Sequence, residues 1–246
     1  MHNKPTHTII WGNGLLGSAL KKHEEEFKHL NLSIIAAGVS NSKHATDIDY
    51  NRESAFLENI LSEFDNSLRN IVYISTFSVN DQSLKHEKYV RTRLNNEALI
   101  QRCQPNHTIL RLTNIVGHNG NPTNILNFFN HSVKNNIPFQ AWKNTLRNFV
   151  DAEDVGRFIL WAEKNDNLKG SLELVHPISY AIHDIITALE KHHNTTARVE
   201  WLEKPKNTFP PNAYSKEFFD NHSIHESSMY LEELLKKYYP SSSTMP

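Results

Sequence analysis

An α/β fold built on a parallel sheet is predicted by three features of this sequence. Strand-like and helix-like segments alternate from Thr8 to about Ala162, the rhythm of strands joined by crossover helices. The first apolar run, Thr8–Trp11, feeds a cluster of glycines at Gly12, Gly14 and Gly17, and a helix-favouring run follows. Later strand candidates such as Asn70–Ser75 are nearly continuous β-branched and aromatic runs, as expected of strands covered on both faces.

The elements follow in order. Thr8–Trp11 reads as the first strand, Leu15–Phe27 as a helix and Leu32–Ala37 as the second strand. Arg52–Phe64 carries Phe56, Leu57, Ile60, Leu61 and Phe64 at helical spacing. Asn70–Ser75 is a strand, Lys88–Cys103 a helix that stops near Pro105, and Thr108–Leu112 a strand. Asn124–Asn135 and Asp154–Glu163 read as helices, the latter capped by Asp151 or Asp154. Beyond Gly170 the units shorten: Leu172–Val175 is a strand, and Ala181–Lys191 and Ser228–Tyr238 are helices. Lys204–Ser215, with Pro205, Pro210 and Pro211, reads as a loop, and Pro240–Pro246 as a disordered tail. A division into a larger domain, residues 1–162, and a smaller C-terminal part, 163–246, is expected.

Composition narrows the function. The 246 residues carry a net charge of −1, with no Lys/Arg block, which argues against a nucleic-acid partner. The one cysteine, Cys103, forms no internal disulfide and fits a reducing compartment. Neither a signal peptide nor a long apolar run is visible, so a cytoplasmic protein without a membrane span is expected. The 15 histidines form no H-E-x-x-H and have no cysteine cluster beside them, so no metal site is expected.

The glycines Gly12-Asn13-Gly14-Leu15-Leu16-Gly17 spell G-x-G-x-x-G at a strand-to-helix junction. Gly12 suits a tight turn, Gly14 the approach of a pyrophosphate to bare backbone, and Gly17 close helix–strand packing. The helix N-terminus then offers free N–H groups to phosphate. The expected fold is therefore Rossmann-like. Three further stretches stand in order behind it. Ser75-Thr76-Phe77-Ser78 ends a strand in hydroxyls, and Tyr89-x-x-x-Arg93 sits on a helix. Leu110-Arg-Leu-Thr-Asn114-Ile-Val-Gly117 comes next, then Arg147-Asn-Phe-Val-Asp-Ala-Glu-Asp154.

This series resembles the extended short-chain dehydrogenase/reductases, the NAD-dependent epimerases and dehydratases of nucleotide sugars, over about residues 8–162. The resemblance implies a catalytic group of Thr76 and Tyr89, with Arg93 at the position of the family's lysine. It implies dinucleotide contacts from Gly12, Asn13, Gly14, Leu15, Leu16, Gly17, Ala36, Ala37, Gly38, Ser40, Ser75, Tyr89 and Arg93. Substrate contacts are implied for Thr76, Ser78, Asn114, Asn124 and Arg147, the arginine gripping phosphate. Phenols ionise near pH ~10, so a tyrosine acting at neutral pH needs a nearby cation. Positions i and i+4 share a helix face, which lets residue 93 meet Tyr89.

Two departures from the family stand out. Arg93 keeps the positive charge of a lysine but is larger, planar and always protonated. The stretch from Gly17 to Ser75 is also too short for two strand–helix units of the usual sheet. Ala36-Ala37-Gly38 resembles the end of the family's fourth strand, so the second and third strands are expected to be missing. With them goes the acid that binds the adenine ribose roughly 20 residues past the glycines. No Asp or Glu lies between Glu26 and Asp47. Either the adenosine half of the pocket is reduced, or Ser40, Asn41 and Ser42 supply its polar contacts. Alternatively, if Leu32–Ala37 is the second strand, Lys43 faces the 2′-phosphate of NADP.

The expected cofactor is NAD or NADP, with NAD slightly favoured. The expected activity is an NAD(P)-dependent epimerase or reductase of a nucleotide-linked sugar in glycan precursor synthesis. Phe77 and Ser78 after Thr76 disfavour dehydration. The alternative is a non-catalytic binder of dinucleotide or nucleotide sugar, and a homodimer through the Lys88–Cys103 helix is expected.

Overall fold

The structure is a computed structural model and describes residues 7–39, 44–62, 70–203, 208–222 and 229–241. The chain runs β1 (Ile9–Trp11), α1 (Leu15–Lys21), α2 (Glu24–Phe27), β2 (Leu32–Ile35), α3 (Asp47–Ser62), β3 (Asn70–Thr76), two 3-10 turns (Phe77–Asn80 and Gln82–Leu84), α4 (Lys88–Cys103) and β4 (His107–Leu112). It continues with β5 (Asn114–Val116), α5 (Ile125–Lys134), β6 (Phe139–Trp142), β7 (Leu146–Arg147), β8 (Phe149–Asp151), α6 (Ala152–Lys164) and β9 (Gly170–Leu174). Last come β10 (Tyr180–Ala181), α7 (Ile182–His193), β11 (Val199–Leu202), α8 (Ala213–Asn221) and α9 (Met229–Tyr238).

The chain forms two compact units, each discontinuous in sequence. One is Met1–Thr113 with Ala152–Leu174, and the other is Asn114–Asp151 with Val175–Pro246. The single division expected after residue 162 therefore falls within α6, inside the first unit. The reason is that β9 returns to pair with β4, taking α6 with it.

In the first unit, five strands lie in the order β1-β2-β3-β4-β9, all parallel. The usual doubly wound sheet reverses its strand order beside the first strand. Here the order never reverses, and β1 has a neighbour on one side only among the described residues. This is the shortened Rossmann-like sheet expected from the sequence. Two right-handed crossovers running the same way would place α1 and α3 in one layer. Instead α3 packs on α4, and α1 packs on α6.

Trp11, Ile35 and Tyr73 are register partners across β1, β2 and β3, so they share a face. Leu57 and Ile60 of α3 and Ile100 of α4 pack with Ile35, Ile71 and Tyr73 in one apolar cluster. Burying each of these side chains contributes about 1.5–3 kcal/mol. The expected helix Leu15–Phe27 is broken at Lys22–His23, where N–H groups turn to carbonyls three residues back, Lys22 to Ala19 and His23 to Leu20. His23 packs so closely that a Cβ on Gly156 of α6 would lie 2.5 Å from its ring. The helix expected from Arg52 starts earlier, because Thr46 and Asp49 close a first turn through Thr46 N–H and Oγ1 bonds to Asp49 Oδ2.

In the second unit, α5, α7 and α9 pack through Leu126, Phe129 and Val133, through Ile182, Ile185, Ile186 and Leu189, and through Leu231, Leu234 and Leu235. The intervals of three and four residues put each set on one helix face. Three short strand pairs join them: β5 with β8, β6 with β11, and β7 with β10. Strands β5, β6, β7, β8, β10 and β11 were not expected from the sequence. Lys204–Ser215 is not wholly a loop either. Asn212 caps α8 by accepting from the Ser215 N–H at 2.8 Å, so Ala213–Ser215 are helical. Residues 204–207, Ser228 and the tail from residue 242 lie outside the described residues.

His193 of α7 is buried, its Nε2 2.7 Å from Asn130 Oδ1 and its Nδ1 buried without a partner among the described residues. Burial, together with the nearby charges of His192 and Lys134, lowers its pKa. The unfolded chain then binds the proton more readily, so the stability contribution is intact above the unfolded value of ~6.5. It declines as pH falls from there toward the folded value. Chemical denaturation at pH 7 and pH 5 will show the midpoint falling on acidification, and His193→Gln will reduce that fall.

Candidate active site

The glycine loop is set by two close backbone approaches. Gly12 has φ +130°, a conformation that side chains rarely adopt, and a Cβ there would sit 2.7 Å from the Ala36 carbonyl oxygen. A Cβ on Gly17 would lie 2.3 Å from the Gly12 carbonyl oxygen, so only glycine lets α1 come down onto the loop. Around Gly14 a Cβ would meet nothing within 4 Å. The loop thus has open space beside bare backbone where a phosphate can approach. Gly14 occupies the N-cap of α1, and no side chain there occupies the helix's free N–H groups. Leu15 and Leu16 form its first turn, half-buried, while Asn13 is exposed and accepts from Lys21 Nζ at 2.7 Å. These residues fit the pyrophosphate of a dinucleotide. Ala36, Ala37 and Gly38 lead out of β2 directly beside Gly12. Ser40 and the polar neighbours 41–43 lie outside the described residues.

At the end of β3, Thr76 is 8% exposed and caps the following 3-10 turn, its Oγ1 accepting from the Ser78 N–H at 3.2 Å. The hydroxyl proton of Thr76 has no acceptor among the described residues. Ser75 differs from expectation. Its side chain points to the opposite face of the strand, where its hydroxyl donates to Glu97 Oε1 at 2.5 Å. Glu97 is gripped in turn by Arg111, Nη2 to Oε2 at 2.6 Å and Nε to Oε1 at 3.1 Å. The Ser75 hydroxyl is thereby bound within the fold, and only its backbone remains for a cofactor.

Tyr89 lies in the first turn of α4, half-exposed, and its hydroxyl is unpaired among the described residues. Arg93 lies one turn on, its guanidinium carbon 5.3 Å from the Tyr89 ring centroid. The rest of Arg93 departs from expectation. The side chain is buried, with Nη1 3.1 Å from Glu53 Oε1 and donating to Tyr73 Oη at 3.1 Å. Nη2 donates to the Val39 carbonyl at 3.2 Å. Burial pushes its pKa down, but the phenols of Tyr73 and Tyr89 and the Glu53 carboxylate outweigh this and raise it. Arg93 therefore stays charged, with its counter-ion already in place. Burial also raises Tyr73, although Arg93 opposes the shift.

The second unit carries the other expected residues. Asn124 is the N-cap of α5, yet its side chain makes no capping bond and has no other partner among the described residues. Asn114 uses its amide N–H to reach the Asn148 carbonyl at 2.8 Å, leaving its oxygen. Arg147 donates to the Leu146 carbonyl at 2.8 Å and lies 5.7 Å from the Trp142 ring centroid. Burial lowers its pKa, and no carboxylate pairs with it among the described residues. A desolvated guanidinium without a counter-ion is suited to an anionic group such as a phosphate.

Sequence reasoning missed Glu53 and Trp142. The signal for Glu53 is a carboxylate on the stripe of α3 that also carries Tyr50, Leu57 and Ile60, all buried. For Trp142 it is an exposed indole close to Arg147. Among the described residues, no cluster of His, Cys, Asp or Glu could hold a metal, and no helix is long and apolar enough to cross a membrane.

No protein-family model matches the chain, and no curated protein matches it. Solved structures do share its fold. A dTDP-4-dehydrorhamnose reductase from Bacillus anthracis, in complex with NADP, aligns with TM-score 0.68 and 15% identity, covering 95% of this chain and 99% of that one. RMD from Pseudomonas aeruginosa, complexed with NADPH, aligns with TM-score 0.68 and 14% identity, covering 93% and 97%. A UDP-glucuronic acid 4-epimerase from Bacillus cereus, with UDP-glucuronic acid and NAD, aligns with TM-score 0.65 and 17% identity, covering 89% and 76%. The fold is thus that of Rossmann-type epimerases and reductases, even though β1 lacks a second neighbour among the described residues.

The glycine geometry predicts two different responses to one methyl group. Gly17→Ala will destabilise the protein by about 1–3 kcal/mol or more, because backbone must move. Gly14→Ala will cost under about 1 kcal/mol, the scale of a weakened N-cap. Urea unfolding of the two variants checks this.

Proposed function

We propose that this protein is an NAD(P)-dependent epimerase or reductase acting on a nucleotide-linked sugar. The observation that carries the reading is the glycine loop. It leaves backbone N–H groups and open space for a pyrophosphate, in a sheet whose fold neighbours were solved with NAD, NADP or NADPH. Gly12 to Gly17 hold the pyrophosphate, and Ala36–Gly38 form the adjoining wall. NAD is slightly favoured over NADP, because β2 fits the place of the usual fourth strand and not the second. When bound, the dinucleotide supplies the redox equivalent at the sugar carbon that bears the reacting oxygen.

The chain's own residues manage that oxygen. Thr76, whose hydroxyl proton is uncommitted, donates a hydrogen bond to it and fixes its direction. Tyr89 gives or takes the proton, a positioned general acid/base worth typically 10²–10⁴-fold in rate. Arg147, with Asn114 and Asn124, holds the nucleotide-sugar phosphates and the adjoining sugar. Arg147 meets the diphosphate as a preformed cation, and its desolvation strengthens that contact. Ser78 adds a hydroxyl beyond Thr76. A homodimer through the exposed face of α4 completes the proposed assembly.

The reading is tested by incubating the protein with UDP- and dTDP-linked sugars and NAD(H) or NADP(H), following epimerised or reduced sugar by NMR. Turnover is expected for one of these pairs. Tyr89→Phe will lower kcat by about 10²-fold or more, and Arg147→Met will act mainly on KM. Tyr89→Phe at wild-type kcat would remove the acid/base assignment. Dinucleotide binding without turnover on any such sugar would leave a non-catalytic binder.

A further inference from the structure

We propose that Glu53 is a positioning residue of the dinucleotide site: with Arg93 it clamps the Val39 peptide and so fixes the Ala36–Val39 wall beside the glycine loop. The inference rests on the reading that this loop takes a dinucleotide. Val39 lies past the last ladder residue of β2, Ile35, so the sheet gives it no hydrogen-bonded partner. The ion pair supplies both missing partners. Glu53 Oε2 accepts from the Val39 N–H at 2.7 Å, and Arg93 Nη2 donates to the Val39 carbonyl at 3.2 Å. Glu53 Oε1 closes the pair, 3.1 Å from Arg93 Nη1 and 3.0 Å from Asn96 Nδ2. Gly38 rests on the guanidinium, since a Cβ there would lie 2.5 Å from Arg93 Nη2. The wall reaches the glycine loop at Ala36, whose N–H donates to the Trp11 carbonyl at 2.8 Å and whose carbonyl closes over Gly12.

The pair's position explains its chemistry. Glu53 and Arg93 are 8% and 7% exposed. A buried ion pair is a poor source of stability, because apolar side chains of similar volume often do as well. Apolar side chains cannot hydrogen-bond a peptide at the frayed end of a strand. Nor does lysine offer two nitrogens in a fixed fork, one for a carboxylate and one for a carbonyl. The arginine at position 93 is therefore assigned to building the wall as much as to facing Tyr89.

The test separates positioning from stability. Wild type, Glu53→Gln and the double variant Glu53→Leu/Arg93→Met are compared by NADH fluorescence titration, by thermal unfolding, and by hydrogen exchange of the Val39 amide. Glu53→Gln is expected to lower Tm and weaken NADH binding about tenfold. The double variant is expected to regain much of the lost Tm, yet to keep tenfold weaker NADH binding and at least tenfold faster exchange at Val39. Wild-type NADH affinity or wild-type Val39 protection in the double variant would overturn the clamp, as would unchanged affinity in Glu53→Gln. Should Glu53→Gln fail to fold, the double variant decides alone. Should wild type bind no NADH, the dinucleotide reading falls, and fast Val39 exchange in the double variant still marks the clamp.

Discussion

The carboxyl end of this sheet depends on one buried contact, the guanidinium of Arg93 against the carboxylate of Glu53. It draws four elements together: Glu53 from α3, Arg93 and Asn96 from α4, Tyr73 from β3 and the Val39 peptide beyond β2. Each partner is needed by the others. Without Glu53 the guanidinium is a bare charge in a low-dielectric interior, and without Arg93 the carboxylate is. Tyr73 is pinned between them, its oxygen accepting from Arg93 and from Asn96. A second polar knot, Ser75–Glu97–Arg111, lies further along the same face of β3 and β4, and Arg111 extends it to Glu173 of β9 at 3.8 Å. Apolar packing fills the middle of the sheet, and directed bonds finish its end. That is the end where an open parallel sheet takes its ligands.

The glycine loop adds a constraint of a different kind. Gly12 and Gly17 are fixed by what would collide, the carbonyls of Ala36 and Gly12. Gly14 is notable for what it would not touch. Two glycines therefore shape the loop, and one leaves room for a guest. The second unit shows a matching contrast. Asp151 is satisfied by Lys237 and Tyr238, whereas Arg147 is desolvated with no carboxylate beside it among the described residues. Unspent hydrogen-bonding capacity thus gathers on the residues proposed to meet ligands: Thr76, Tyr89, Asn124 and Arg147.

Much of this was legible in the sequence, and the limits have physical causes. The parallel sheet was readable because buried strands are continuous apolar runs, and the shortening because too few residues separate Gly17 from Ser75. The strands of the second unit were not, since pairs of two to four residues such as Leu146–Arg147 and Tyr180–Ala181 carry no period. Discontinuity of the units was hidden for another reason. Helix α6 follows β8 directly, and its packing on α1 and the return of β9 to β4 assign it to the first unit. Within the site, residue types placed Thr76, Tyr89 and Arg93 on the right elements. They could not show that Ser75 turns toward Glu97, or that Arg93 is met by a carboxylate 40 residues earlier in the chain.

On the proposed function, the loop Gly12–Gly17 holds the pyrophosphate of a nicotinamide dinucleotide. Isothermal titration with NAD and NADP, repeated on Gly14→Val, tests it most directly. The predicted result is saturable binding of one dinucleotide per chain by the wild type, lost in Gly14→Val while the unfolding temperature stays near that of the wild type. Wild-type protein that binds neither dinucleotide, or Gly14→Val that binds as tightly as wild type, would contradict the account.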